Sequence, residues 1–370
     1  MIMKKIIWIT GACFTETDYN YDVMYELAKR FEIHWFILGA IKNYLPEKAF
    51  DIFKNIPNLN VYWRNNKYRI RDPRGLIFYL KLLKEINSKH PDVIYCNASP
   101  EPPFAIMSIF LNKKKTIFAA HDGKVQNDSS SFSLIRTFGY NTIFKHSRYV
   151  NMFSKSQAEL MNETYPQNKI HTMVLPLKDF GKSTKSLPNN YIRFLSFGSI
   201  IYQKNIDLLI EAGELLYNKG YRNFKISING GCKNWEFYQK KIKHPEVFEC
   251  NPQFISNETL LDLFATSHYA VFPYRRVSQS GVLKLAFNYN VPVIASQIGS
   301  FKEEIIEGLN GFFFEAGNVT SLANVMETCI NRKKSDFNLL KSKMDTFIKE
   351  KYSIKNITSY YTELFTTFIQ

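Results

Sequence analysis

A chain of 370 residues, 45% hydrophobic and 22% charged, is too long for one hydrophobic core and too apolar to stay disordered, so two globular domains are expected. Its formal charge of +15 is concentrated in the first half. Charge alone does not choose among nucleic acid, an anionic membrane, a phosphorylated substrate and a plain solvated lysine-rich surface. Five cysteines without a C-x-x-C pair offer neither a zinc site nor a disulfide framework and suit a reducing cytoplasm.

The chain starts on a basic segment, Met1 to Lys5, and a short apolar run, Ile6-Ile7-Trp8-Ile9-Thr10. The run is too short for a signal-peptide core and reads as a first buried strand. No stretch approaches the ~20 apolar residues of a membrane span. A helix near Tyr21 to Phe31 and a strand at His34-Trp35-Phe36-Ile37-Leu38 complete a βαβ unit. Leu76, Tyr79, Leu80, Leu83 and Ile86 recur at helical spacing within Gly75 to Ser88, ahead of a strand at Asp92 to Cys96. Thr116 to Ala120 is a further strand ending at His121-Asp122, and Tyr149 to Ser154 and His171 to Pro176 close the half.

Between Lys178 and Asn190 the composition is that of an exposed connector. The alternation then restarts, with strands at Phe194 to Phe197, Phe224 to Asn229, Tyr269 to Pro273 and Pro292 to Ala295, and helices at Ile206 to Asn218, Asn257 to Ala265 and Val282 to Asn288. The expected fold class is α/β, two Rossmann-like domains facing each other across a cleft. They span 1–180, with 353–370 as a C-terminal helix crossing back to the first domain, and 190–352. Ligands in such sheets sit beyond the carboxyl ends of the strands.

Two strand-loop-helix segments of the second half could bind an anion. Gly198-Ser199 follows a strand and Lys204 precedes a helix, so backbone, helix dipole and ammonium could converge on a phosphate; a turn glycine and a surface lysine are an equal alternative. Ser280-Gly281-Val282 leads from a strand into a helix and could present amide hydrogens and a hydroxyl to a diphosphate. Neither segment is a P-loop or a G-x-G-x-x-G. Two such sites in one domain support a pyrophosphate ligand better than either does singly.

Taken with Lys204-Asn205, Leu208 to Ala212, Phe254 to Glu258, Pro273 to Glu303, Gly308 to Gly311 and Leu322-Ala323, these segments resemble the carboxy-terminal domain of family 4 retaining glycosyltransferases. The first half is similar more loosely, through its opening strand, Pro91 to Ile94 and His121-Asp122. The resemblance implies a GT-B fold, a nucleoside-diphosphate sugar held by the second domain, no cofactor and no required metal. Carried onto this chain, donor binding would fall to Gly198, Ser199, Lys204, Asn229, Gly230, Phe254, Ser280, Gly281, Val282 and Glu303. Lys204 and His121 would be catalytic, and Gly11, His121 and Asp122 would meet the acceptor. Lys204 would neutralise the departing diphosphate while the sugar becomes oxocarbenium-like.

The chain departs from the family pattern at three points. Ser199 stands where an arginine is common, and Val277 and Leu285 occupy the positions of two glutamates eight residues apart. It matches better a variant with a Ser-Gly-Val-Leu loop. Arg275 and Arg276 either offset the charge missing at Ser199 or are solvated. Glu303 either meets the donor or simply starts a helix, and a lone histidine such as His121 is more often structural. The loop Ala12 to Tyr19 lacks the family's paired glycines.

Arg64, Lys67, Arg69, Arg71 and Arg74, with Trp63, Tyr68, Phe78, Lys81 and Lys84, read as a surface for anionic lipid heads or a lipid-diphosphate acceptor, or as a solvated face. No nucleic-acid motif accompanies the charge. The leading function is transfer of a hexose-type sugar to a saccharide or lipid-linked acceptor in surface-polysaccharide assembly, in the cytoplasm or at the inner face of the membrane. A nucleotide-sugar epimerase and a non-catalytic basic binding protein are the rivals.

Overall fold

The computed structural model describes residues 3–11, 21–39, 47–68, 72–98, 101–124, 131–177 and 179–368. The expectations for Ala12 to Tyr19, Arg69, Arg71 and Lys178 lie outside these residues. The chain forms two compact units, Met1–Pro176 with Tyr352–Gln370, and Leu177–Lys351.

The first unit runs β1 (Lys4–Gly11), α1 (Tyr21–Ala28), β2 (Phe31–Gly39), β3 (Leu59–Asn65), α2 (Arg74–Ser88), β4 (Val93–Asn97), α3 (Pro102–Ser108), β5 (Thr116–Ala120), α4 (Ser131–His146), β6 (Tyr149–Met152), α5 (Lys155–Thr164) and β7 (Lys169–Thr172). The strands form one sheet in the order β3-β2-β1-β4-β5-β6-β7, all neighbours parallel. Ile6 to Ile9 are wholly buried in succession, the mark of a strand covered on both faces. Trp8 and Trp35 belong to a core with α1 on one face, while Tyr79, Phe104, Phe144 and Met161 of α2, α3, α4 and α5 fill the other.

The second unit runs β8 (Ile192–Phe197), α6 (Ile206–Asn218), β9 (Phe224–Asn229), α7 (Trp235–Gln239), β10 (Phe248–Asn251), α8 (Asn257–Ala265), β11 (Tyr269–Phe272), α9 (Gly281–Asn288), β12 (Val293–Ser296), α10 (Phe301–Glu304), β13 (Gly311–Phe314), α11 (Val319–Ile330) and α12 (Lys334–Lys351). Its parallel sheet has the order β10-β9-β8-β11-β12-β13. The last helix, α13 (Ile354–Glu363), belongs to the first unit, where Tyr361 packs on Trp8 at 4.9 Å and on Tyr95 at 5.8 Å between ring centroids.

Local differences from the sequence reading have physical causes. The first helix stops at Ala28, because Phe31 already pairs with Lys4 in the sheet. The strand expected at His171 to Pro176 is instead Lys169–Thr172, since its partner β6 has only four residues to pair with. Of the basic segment, Trp63 and Arg64 lie in a strand, β3, while Arg74, Phe78, Lys81 and Lys84 lie in α2. Residues after Pro176 do not form a loose tether: Phe180 donates its N–H to the Tyr289 hydroxyl at 2.9 Å, and Ser183 and Lys185 both bond Asp262 at 2.6 and 2.7 Å.

Candidate active site

In the second unit the strand order reverses between β8 and β11, the place where an open α/β sheet accepts a ligand. Gly198 leaves β8 there, and its positive φ of 108° suits glycine alone. A Cβ on Gly198 would lie 3.3 Å from the Val282 side chain, so the first anion segment and the start of α9 touch. Gly230, after β9, lies against the same backbone: a Cβ there would meet the Gly198 carbonyl oxygen at 2.1 Å. The residues Gly198, Gly230 and Val282 thus form one close-packed group, with Asn229 buried at the end of β9 accepting the Gly198 N–H at 3.0 Å.

Ser280 is the N-cap of α9, and its hydroxyl accepts the Leu283 N–H at 3.2 Å. Capping engages a lone pair of that oxygen, so the hydroxyl keeps its hydrogen for donation to a diphosphate. Of the first-turn amides, which have no partner within a helix, those of Gly281 and Val282 are not taken by the cap. A Cβ on Gly281 would meet nothing within 4 Å, so the helix start faces open space.

Lys204 sits in a one-turn 3-10 helix, Tyr202–Lys204, rather than in the loop expected. Its Nζ lies 3.6 Å from the centroid of the Tyr274 ring, a cation–π contact that parks the charge beside the β11 loop. Ser199 is exposed, as is Arg276. Arg275 is half-buried and not free: its guanidinium pairs with Asp207 at 3.0 Å. Phe254, on the loop after β10, is 87% exposed. That loop joins the Gly230 segment through Gly230 N–H to Asn251 O at 3.0 Å and Cys232 N–H to Pro252 O at 3.2 Å.

The two positions without glutamates are filled by packing. Leu285 is buried, and the Val277 carbonyl lies where a Cβ on Gly299 would fall, at 2.3 Å. Glu303 is half-buried in α10. Its neighbour Glu304 turns inward to an ion pair with Lys284 of α9, and both residues are buried. Sequence reasoning missed this pair, since a lysine within Val282-Leu283-Lys284-Leu285 gives no sign of its partner twenty residues on. Asn205 Oδ1 and the hydroxyls of Tyr274 and Ser300 are buried without a partner among the described residues. They stand on the segments after β8, β11 and β12.

In the first unit the order reverses between β1 and β4. Gly11 ends β1, and His121-Asp122 leaves β5, two strands away. The His121 ring stacks on Phe153 at 4.9 Å between centroids, and both His121 and Asp122 are half-buried. Gly123 explains the path of this loop. Its N–H donates to Gln157 Oε1 at 2.9 Å, and a Cβ there would strike the Gln157 carbonyl at 2.2 Å.

Glu101, the N-cap residue of α3 after β4, was not singled out from the sequence. Burial holds its carboxyl above the ordinary range, with a hydrogen bond from Tyr79 pulling the other way. A carboxyl so perturbed at the ligand edge of a sheet is a functional candidate; the signal was its place between Pro102-Pro103 and the end of a buried strand. A raised folded-state pKa means the buried carboxylate costs stability as pH rises above its ordinary titration near ~4.3. Glu101→Gln is therefore expected to raise the unfolding midpoint at pH 7 and to lose that advantage at about pH 3, where both states of the wild type are protonated. An equal midpoint at pH 7 would contradict the reading.

The basic cluster of the first unit is only partly free. Arg64 is paired with Glu85 and Arg74 with Asp72 at 2.7 Å, whereas Lys67, Lys81 and Lys84 are exposed.

Residues 192–332 match the family model described as glycosyl transferases group 1. The chain is 26% identical over 119 residues to a glycogen synthase from Thermus thermophilus, a stretch covering 32% of this chain and 27% of that relative. It thus spans about a quarter of the length of the curated relatives it matches. Among solved structures it is similar to a glycosyltransferase from Rickettsia africae ESF-5, with a TM-score of 0.70 and 15% identity over 100% of this chain and 99% of that one. It is also similar to Anabaena Alr3699/HepE in complex with UDP, with a TM-score of 0.65 and 14% identity over 99% and 100% of the two chains. At these identities the structures share the fold, the two parallel-sheet Rossmann-like units of the GT-B glycosyltransferases.

Proposed function

We propose, from a second unit that matches the group 1 glycosyl transferases, that the chain moves a hexose-type sugar from a nucleoside-diphosphate donor to a saccharide or lipid-linked acceptor. The observation that carries this reading is the contact of the Gly198 segment with Val282 at the switch point of that unit. It brings a strand-end glycine and a helix start to one place, with the Lys204 ammonium held on the loop between them. Negative charge builds on the leaving diphosphate as the glycosidic bond breaks. The amides of Gly281 and Val282 and the ammonium of Lys204 are the groups that would receive it. Such neutralisation by fixed protein charges requires no metal. The family 4 assignment, the Ser-Gly-Val-Leu variant, retention of configuration and a role in surface-polysaccharide assembly belong to the same reading.

Within it, Asn229 and Gly230 floor the diphosphate site, and exposed Phe254 offers a face on which a base can stack. Ser199 and Glu303 flank the donor, and Gly11, His121 and Asp122 meet the acceptor. UDP, present in the Anabaena structure, is the first nucleotide to try. Incubation of the purified chain with UDP-hexoses and a saccharide acceptor is expected to release UDP. No release from any nucleoside-diphosphate sugar would contradict the proposal.

The acceptor side adds a peripheral membrane contact at the inner face. Among the described residues no helix is long and apolar enough to cross a membrane. Ile77 and Leu80 of α2 and Leu134 and Phe138 of α4 are nevertheless exposed, with Leu134 at 75%. The helices α2, α3 and α4 cover the same sheet face, and Lys81 and Lys84 accompany the apolar groups, the composition of a surface for anionic lipid. Co-sedimentation with vesicles containing an anionic lipid is expected, and Lys81→Glu with Lys84→Glu is expected to reduce it several-fold. Equal sedimentation of the variant, or none by the wild type, would remove the membrane from the proposal.

A further inference from the structure

The turn carrying Lys204 is short. A one-turn 3-10 helix has poor hydrogen-bond geometry and little stability of its own, and this one holds only Lys204 N–H to Ile201 O at 2.9 Å and Asn205 N–H to Tyr202 O at 3.2 Å. Its placement comes from across the switch point. The Arg275 backbone N–H donates to the Gln203 carbonyl at 2.9 Å, and its Nη1 donates to the Tyr202 carbonyl at 2.6 Å. The same guanidinium bonds the Asp207 carboxylate in the first turn of α6, Nη2 to Oδ2 at 3.0 Å, and lies 4.2 Å from the centroid of the Tyr202 ring. One side chain thereby ties the β11 loop, the Lys204 turn and the start of α6 together. The preceding residue, Tyr274, supplies the ring beneath the Lys204 ammonium.

We propose that Arg275 is the positioning residue for Lys204, fixing the turn that carries its ammonium and cancelling the charge of Asp207 beside the diphosphate site. The proposal rests on the reading of Lys204 as the diphosphate's cation. Arginine suits both tasks, because its rigid planar fork sends Nη1 to the carbonyl and Nη2 to the carboxylate, whereas a lysine would have to reach both from a single nitrogen on a flexible stem. Asp207 favours the positive end of α6, yet an unpaired carboxylate there would repel an incoming diphosphate. Arg275 removes that repulsion and the slack in the turn together.

Displacing a catalytic group by about an ångström costs on the order of 100-fold, so Arg275→Ala is expected to lower kcat/KM for a UDP-sugar about 100-fold. Arg275→Lys is expected to recover only part. Adding Asp207→Asn to Arg275→Ala is expected to restore the donor KM, through lost repulsion, without restoring kcat. In a Lys204→Ala background Arg275→Ala is expected to change kcat less than threefold while the donor KM still rises through uncovered Asp207, the coupling in kcat that a positioning role demands and that general destabilisation would not produce. Thermal unfolding of each variant shows whether it is folded; if Arg275→Ala is not, Arg275→Gln and Asp207→Asn carry the same comparison. Fully additive effects of Lys204→Ala and Arg275→Ala, or wild-type kinetics in Arg275→Ala, would overturn the proposal while leaving the functional reading intact. A wild-type protein that neither binds UDP nor releases it from a donor would overturn both.

Discussion

Exchanging Lys204 for alanine is expected to slow sugar transfer by about 100- to 1,000-fold, the effect of removing one preorganised group that meets charge developing in a transition state. Its ammonium lies on the Tyr274 ring, 3.6 Å from the centroid, at the loop leading to the Gly281 and Val282 amides. A cation–π contact at a partly exposed site is worth about 0.5 to 1 kcal/mol, much less than a charge-assisted bond to a diphosphate in a water-poor site. The ammonium can therefore leave the ring when the donor arrives. Loss mainly in kcat would mean that the contact strengthens in the transition state, whereas loss only in KM would mean uniform binding. Tyr274→Phe should be close to neutral, because the buried hydroxyl it removes has no partner among the described residues. Unchanged transfer in Lys204→Ala would remove Lys204 from the site.

The largest stability effect is expected at Lys284. This lysine is buried inside α9 and paired with buried Glu304 of α10. Removing one member of such a pair leaves an uncompensated charge in the interior and typically costs about 3 to 5 kcal/mol. Lys284→Met alone, or Glu304→Leu alone, is expected to lower the unfolding midpoint by roughly 10 °C, taking about 2 to 4 °C per kcal/mol for a unit of this size. The double replacement should recover most of that loss or exceed the wild type, since a well-packed apolar pair avoids desolvating two charges. Single variants as stable as the wild type would show that the pair is not buried as described. The pair also ties the helix presenting Gly281 and Val282 to the segment after β12, so the stable double variant reports separately on whether that tie matters for transfer.

Much of the second unit was legible because its strands are continuous apolar runs and its helices carry regular apolar faces. Phe194 to Phe197, Ile206 to Asn218 and Tyr269 to Phe272 are visible in this way, and glycines at strand ends marked where a ligand would approach. The contact between Gly198 and Val282 was not legible, because it depends on strand order: eighty-four residues separate two loops that adjacent strands bring together. The fate of Arg275 was hidden for the same reason, as its partners Tyr202, Gln203 and Asp207 lie across the switch point. The cap that the Ser280 hydroxyl makes on Leu283 is written in the sequence Ser280-Gly281-Val282-Leu283 and leaves the hydroxyl hydrogen for the ligand role read from the same segment. In the first unit β3 was obscured because it is a half-exposed strand whose polar and charged residues, Asn60, Arg64 and Asn65, interrupt its apolar run. Glu101 stands in no motif beyond its place before Pro102-Pro103, and its partial burial is what singles it out.

The donor's diphosphate should be received by the second unit at the start of α9. Gly281 offers a direct test, because a Cβ added there meets nothing among the described residues within 4 Å, and valine's branched side chain would take up space at the helix start where the diphosphate should sit. Equilibrium titration of UDP into the full chain is expected to show saturable binding that Gly281→Val abolishes while the unfolding midpoint without nucleotide stays unchanged. Binding of UDP to Gly281→Val with wild-type affinity would contradict the placement of the donor.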